Sequence, residues 1–396
     1  MDVTLTPQQV EWQMKARKFA QEEVRPISLA RDGVIDALGA FDWDVVKKGS
    51  RLGFRTAALS KEWGGHGIDF VSQALVIAEI AKGDSAIAKT FSQCWKWSHM
   101  MSVVCSPEQN ERFLRRFVED ETCLLGHAGT EPNAGSDHRI PPEDDPRAGW
   151  KLKAERKGDE WILNGEKTFI ANGSVASLFF VTARTDPNVS QVDGTTEFLV
   201  PLDTPGVRIG KVFNKSGWRF YQNAELIFDN ARVPHANLVG EINKGFNLRS
   251  GTSQPFGDFE LSANALGVCD AAVEMAMEYV RAVAPGGRYM HDNQTIQLQL
   301  AEMHMRTEAL RAFVLRVAGE SNAAKVRQHS INNILLMNFA TETVQRVTRL
   351  NVDVHAGTGA DAMPAGVDKL ARDATIWTHL AGDSVQRMKG IRRLKF

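Results

Sequence analysis

Gly129-Thr-Glu-Pro-Asn-Ala-Gly-Ser-Asp137 packs glycines, hydroxyls and carboxylates into a single short stretch. Pro132 fixes its own φ, Gly129 and Gly135 reach φ values closed to other residues, and Thr130 and Ser136 place short hydroxyls beside backbone N–H groups. Asn-Ala-Gly-Ser-Asp is also ordinary surface-turn chemistry, so the segment that follows decides its meaning. Glu160-Trp-Ile-Leu-Asn-Gly-Glu-Lys-Thr-Phe-Ile-Ala-Asn-Gly173 is an apolar run, an Asn164-Gly165 dipeptide and a second alternating run. That pattern predicts a β-hairpin turning at Asn164-Gly165. A polar turn built to hold a ligand, followed by a hairpin, puts a β-rich unit in the middle of the chain.

Helical signals stand on both sides of it. Thr6-Pro7-Gln8-Gln9 combines a Thr N-cap, Pro at the first helical position and a Gln that closes a capping box. Val45, Leu52, Ala57, the run from Leu75 to Ile80, Leu114 and Phe117 continue apolar positions at helical spacing, with breaks at Trp63-Gly-Gly-His-Gly67 and Ser106-Pro107. From Leu124 the texture changes to short β-rich runs, predicting strands at 179–182, 197–200, 207–209 and 224–228. Ile140-Pro-Pro-Glu-Asp-Asp-Pro-Arg-Ala-Gly149 cannot be a strand and is expected to be a surface insertion. After residue 240 the stripes Val268, Ala272, Met275, Tyr279, then Leu310, Phe313, Val314, Val317, then Ile334, Leu335, Phe339, Val344 predict a helical bundle. The expected class is α+β in three domains: an all-α unit over 1–123, a β-barrel or sandwich over 124–239, and a four-helix bundle over 240–396.

In order along the chain these segments resemble the acyl-CoA dehydrogenase family of flavoenzymes. The family carries a Thr-Glu-Pro-x-Ala-Gly-Ser-Asp turn and a Gly-x-Lys-x-Trp-Ile-Thr-Asn-Gly segment. Its Pro-Glu-x-x-Gly-Gly-x-Gly is similar to Lys61-Glu-Trp-Gly-Gly-His-Gly67, and its late Arg-Asp-Ala is Arg372-Asp373-Ala374. The resemblance implies FAD as cofactor, because the β-carbon hydrogen has no acidity and must leave as hydride, and a carboxylate base for the α-hydrogen beside the thioester. It implies that Thr130, Ser136, Phe169, Ile170 and Ala171 line the flavin ring, with Ser136 also at the substrate. Ala171 stands where the family has a Thr hydroxyl. Val354-His-Ala-Gly-Thr-Gly359 is similar to a glycine-rich turn that approaches a neighbouring subunit's dinucleotide, which makes Ala356, Gly357 and Gly359, together with Gln294, Gly382 and Asp383, further cofactor candidates. A homodimer or homotetramer is the assembly this implies.

The sequence departs from the family at the base. The usual Glu position is Ala381, and the alternative position, early in the first bundle helix, is Gly257. Asp258 and Glu260 are the nearby carboxylates, and both also suit the dipole at a helix start. The family's Asp and Arg that grip the CoA arm become Pro255 and Asp258, which leaves Asp258 a substrate candidate too. Phe91, Trp95, Trp97 and Trp377 add aromatic bulk at positions that neighbour the acyl pocket in the family, with Phe91 the substrate candidate and core packing the plainer role for at least two of the tryptophans. His379 is a third catalytic candidate, since flavin monooxygenases of this fold lack the Glu and use a His near that place. Three functions are therefore open: an acyl-CoA dehydrogenase with a displaced base, a flavin monooxygenase, or a non-catalytic partner subunit. The acyl group and the electron acceptor are open as well.

Composition sets outer bounds. With 396 residues, 43% hydrophobic and 24% charged, the chain is long enough for several packed units and has no signature of disorder. A formal net charge of −1 offers no general field for nucleic acid or anionic lipid. Cys94, Cys105, Cys123 and Cys269 lack metal or redox spacing and are expected to be reduced core residues. No run of about 18 apolar residues occurs, and a cytoplasmic protein without membrane insertion is the expectation.

Overall fold

The computed structural model describes residues 4–133, 135, 145–246, 248, 254–281, 287, 289–324, 331–355 and 366–380, and for residues 254–258, 324 and 380 the backbone path alone. Chain order runs from helices to strands and back to helices. The first group comprises α1 (Pro7–Phe19), α2 (Arg25–Asp32), α3 (Trp43–Arg51), α4 (Phe70–Gly83), α5 (Ser85–Val104), α6 (Pro107–Gln109) and α7 (Arg115–Glu119). The Thr6 capping box is present: its hydroxyl accepts the Gln9 N–H, and the Gln9 side chain accepts the Thr6 N–H at 2.9 Å. Ser106-Pro107, expected as a break, is a second start of the same kind, with Gln109 closing its box.

Among the described residues eight strands follow: β1 (Leu125–Ala128), β2 (Lys153–Lys157), β3 (Glu160–Ala171), β4 (Leu178–Arg184), β5 (Thr195–Pro201), β6 (Val207–Val212), β7 (Asn223–Pro234) and β8 (Leu238–Val239). The sheet order is β6-β7-β3-β2-β4-β5-β8, with β1 pairing parallel to β4. The expected hairpin turn at Asn164-Gly165 is not there. β3 passes straight through, and the hairpin that exists joins β2 to β3, with Lys157 opposite Glu160. Asn164-Gly165 is instead a bulge against β7, where the register shifts between Leu163 and Gly165. Gly165 takes φ +135°, Asn230 opposite takes φ +49°, and the Asn164 side-chain oxygen accepts the Asn230 N–H at 2.8 Å. An Asn-Gly pair suits positive φ whether the chain reverses or merely bulges, and cross-strand pairing with β7 selects the bulge.

The last group is α8 (Gln254–Tyr279), α9 (Gln294–Ala324), α10 (Ile331–His355), α11 (Val367–Ala374) and α12 (Trp377–Leu380). α8 packs on α4, α9 and α10. Gly267 permits the closest approach, since a Cβ there would lie 2.2 Å from the Ala78 carbonyl of α4. The helical stripes face the core except at Met275, which is half-buried and lines a cavity, and at Leu335, which is exposed; Leu336 and Met337 take its place inside. Trp95, Trp97, Trp377 and Phe91 are all buried, and all four cysteines are free thiols. No helix among the described residues is long and apolar enough to cross a membrane.

Candidate active site

The described part of the 129–137 stretch is fastened to β3 by a buried ion pair. Glu131 accepts the Lys167 ammonium at 2.8 Å and the backbone N–H groups of Lys151 and Leu152 at 2.6 and 3.0 Å. Lys167 also donates to the Gly129 carbonyl at 3.2 Å, and the Thr168 N–H donates to the Thr130 carbonyl at 2.9 Å. Two charges taken out of water hold only when their remaining hydrogen-bonding capacity is met, and here it is met by the Gly129 carbonyl and by the N–H groups of Lys151 and Leu152 just before β2. Glu131 and Lys167 are therefore scaffold, while Thr130 and Phe169 present themselves outward.

Phe169 swings out of the ladder where the β3–β7 register shifts between Lys167 and Ile170. It adopts φ +54°, is 56% exposed, and stacks on Phe213 with centroids 4.1 Å apart. Thr130 is half-buried, and its hydroxyl has no hydrogen-bond partner among the described residues. An outward aromatic face beside an unengaged hydroxyl fits a flat ring with a polar edge, as the FAD expectation requires. Ile170 is buried, and Ala171 offers only its backbone. Gln294, at the first turn of α9, is exposed. Ser136, Ala356, Gly357, Gly359, Gly382 and Asp383 lie outside the described residues. The last described residue before the glycine-rich turn, His355, lines a cavity of about 640 Å³ with Arg25, Tyr279 and Arg281.

The candidate bases fall in different settings. Asp258 sits early in α8, its side chain outside the described residues. Glu260 is buried and takes the Lys89 ammonium of α5 at 2.5 Å on Oε1; its Oε2 has no partner among the described residues. His379 is exposed on α12. Phe91 packs with Phe19 and Phe54, centroids 6.1 and 6.4 Å away, inside the N-terminal unit. Trp377 donates its indole N–H to the Leu261 carbonyl at 3.0 Å and stands edge-on to Trp218 at 4.9 Å. Lys89, paired with Glu260, and Trp218, which packs on both Trp377 and Tyr221, were not among the expected site residues. A lone lysine in the apolar stretch Ala86-Ile-Ala-Lys-Thr-Phe91 was the available signal for the first.

These elements match sequence profiles described as the acyl-CoA dehydrogenase N-terminal domain over residues 6–121, middle domain over 126–231 and C-terminal domain over 243–395. The chain belongs to the acyl-CoA dehydrogenase family, FAD-dependent oxidoreductases acting on CH–CH donors. It is 32% identical over 395 residues to cyclohex-1-ene-1-carbonyl-CoA dehydrogenase of Syntrophus aciditrophicus, covering 99% of this chain and 91% of that one. It is 31% identical to the short-chain-specific acyl-CoA dehydrogenase of Megasphaera elsdenii, covering 95% and 94%. The solved structure of butyryl-CoA dehydrogenase from Megasphaera elsdenii superimposes with a TM-score of 0.89 at 30% identity, covering all of both chains.

Proposed function

We propose that this protein catalyses α,β-dehydrogenation of an acyl-CoA thioester, with a carboxylate at the start of α8 taking the α-proton. FAD, when bound, supplies the hydride acceptor. The observation that carries the reading is the whole-length match to acyl-CoA dehydrogenases in all three domains, supported by the Thr130 and Phe169 surface on β3 and the turn before it. Thr130 and Phe169 would hold the ring. Ser136 and the glycine-rich turn at Ala356, Gly357 and Gly359 would complete the cofactor site, the turn acting across a homodimer or homotetramer interface.

Of the two carboxylates near Gly257, Glu260 already serves Lys89, which favours Asp258 as the base. Asp258 lies beyond the first turn of α8, so its candidacy rests on its place beside the Gly257 position and not on the helix dipole. Exposed His379 does not enter this reading. The test is anaerobic mixing of the purified protein with saturated acyl-CoA thioesters while the flavin absorbance is followed. Bleaching is expected, and Asp258→Asn should slow it by about two to four decades, the usual worth of a positioned base. Glu260→Gln is the control. Absence of bleaching with every thioester, or an unchanged rate in Asp258→Asn, would defeat the corresponding half of the proposal.

A further inference from the structure

Both neighbours of β7 are irregular at the same place. On β3, Thr168 and Phe169 stand between the pairs Lys167–Leu226 and Ile170–Ala224; on β6, Gly210 and Lys211 stand between Ile209–Leu226 and Val212–Ala224. Each strand therefore carries one residue too many opposite Glu225, and bulges of this kind bend a strand and re-aim its side chains. β7 separates β3 from β6 in the sheet, so the Phe169–Phe213 stack, 4.1 Å between centroids and 22° between planes, spans the start of β7. Asn223, the first residue of β7, is bonded to both members of that stack. Its side-chain N–H donates to the Phe169 carbonyl at 2.9 Å, and its own carbonyl accepts the Phe213 N–H at 2.9 Å. The Lys215 ammonium takes the other end of the Asn223 amide, donating to its oxygen and to the Tyr221 carbonyl. An ammonium only donates and a carbonyl only accepts, so an amide between them is oriented one way. Phe169 takes φ +54°, a backbone region that bulky residues avoid unless their surroundings impose it.

We propose that Asn223 is a positioning residue for the cofactor: it fixes Phe169 and Phe213 as one aromatic platform on which the flavin ring is held, with Lys215 orienting its amide. The proposal rests on the reading above that Phe169 holds the ring. Without the bond from Asn223, Phe169 is free to return to negative φ, and its exposed face then leaves the stack. Asp in place of Asn223 separates aiming from mere support. It is isosteric, it still accepts from Lys215 with a charge that strengthens the bond, and it leaves the Phe213 N–H bonded as before. It loses only the donor, setting a carboxylate oxygen against the Phe169 carbonyl oxygen. A residue that merely secured the fold would be replaced by Asp without harm, whereas one that aims Phe169 would not.

The experiment dilutes purified holoprotein into FAD-free buffer and follows flavin release by fluorescence, with the visible circular dichroism of the bound flavin as a signature of how the ring is seated. Asn223→Asp is expected to keep the wild-type far-ultraviolet spectrum, to release FAD about tenfold faster, the upper worth of one lost hydrogen bond, and to alter the visible circular dichroism. Phe169→Leu should act in the same direction. The double variant should release FAD no faster than Phe169→Leu alone, because no ring is then left for Asn223 to aim. Should Asn223→Asp not fold, Phe213→Leu carries the test, since it leaves every bond of Asn223 in place and is expected to speed release as well. Wild-type release and spectrum in Asn223→Asp, additive effects in the double variant, or a Phe213→Leu protein that behaves as wild type would overturn the proposal. So would a wild-type protein that binds no flavin. If the variants behave as expected but no thioester bleaches the flavin, the platform stands and dehydrogenation falls.

Discussion

The Asp373 carboxylate accepts the backbone N–H of Trp218 at 2.6 Å, tying the C-terminal helices to the β-domain. Its other oxygen takes the Lys369 ammonium at 2.7 Å, and Lys369 also reaches Asp84 at 3.0 Å, at the start of α5. Ser28 donates to the same Asp84 at 2.6 Å, and Arg372 bridges Asp32 and the Ser216 carbonyl. A Cβ on Gly217 would lie 2.4 Å from the Arg372 carbonyl, so only glycine lets the two segments meet. The family's Arg-Asp-Ala motif thus joins three domains.

Lys369→Met should expose how much that junction holds. Burial works against the Lys369 charge, but Asp373 and Asp84 outweigh it and keep the ammonium above the usual lysine range. Removing it leaves two buried carboxylates facing each other without a cation, a change expected to cost about 3–5 kcal/mol in chemical denaturation. A loss below about 1 kcal/mol would mean that water replaces the ammonium.

Acid stability should depend on Glu302. Arg346 first and Arg306 second hold its carboxyl down to about 2, joining α9 to α10 through bonds of 2.7 and 2.8 Å. A depressed carboxyl contributes stability that is complete above its unfolded value of about 4.3 and is lost as pH falls toward about 2. Glu302→Gln should therefore lower the melting temperature at neutral pH by a small amount, and the two proteins should converge as the pH approaches about 2. A difference that stays constant across that window would exclude titration of Glu302 as the cause.

The bulge at Asn164 and Asn230 yields a backbone prediction. Asn230 sits at φ +49°, where a Cβ-bearing residue without a local hydrogen bond is penalised by about 1–2 kcal/mol. Asn230→Ala should lose about that much in thermal melts, and Asn230→Gly should lose less. Equal losses in both would point to the Asn230 side chain's bond to Asn164 rather than to the φ angle.

Much of the architecture was legible because the signals were local. The Thr6 cap, the switch from helical to β texture at Leu124 and the late apolar stripes each depend on residues a few positions apart. The Asn164-Gly165 error arose because positive φ is compatible with both a turn and a bulge, and the partner that chooses between them, β7, lies more than 60 residues away. The same limit applies to the site. Glu131 and Lys167 stand inside the motifs that supplied Thr130 and Phe169 as candidates, yet only the folded chain shows that the two pair with each other. Lys89 and Asn223 belong to no motif and acquire meaning only when α5 meets α8 and β7 meets β3.

Glu131→Gln and Lys167→Met give the last prediction, and they should differ. In Glu131→Gln the Lys167 ammonium loses its carboxylate while 0% exposed, and one end of the new amide carries a donor toward backbone N–H groups that themselves donate. Both effects destabilise, and a loss of about 3–5 kcal/mol is expected. Lys167→Met leaves a carboxylate that still accepts from Lys151 and Leu152, so its loss should be smaller. Because the pair fixes the Thr130 carbonyl against Thr168, flavin retained after gel filtration should fall in the same order, Glu131→Gln below Lys167→Met below wild type. A Glu131→Gln protein that melts normally and keeps its full flavin would show that the turn is held by its backbone bonds alone.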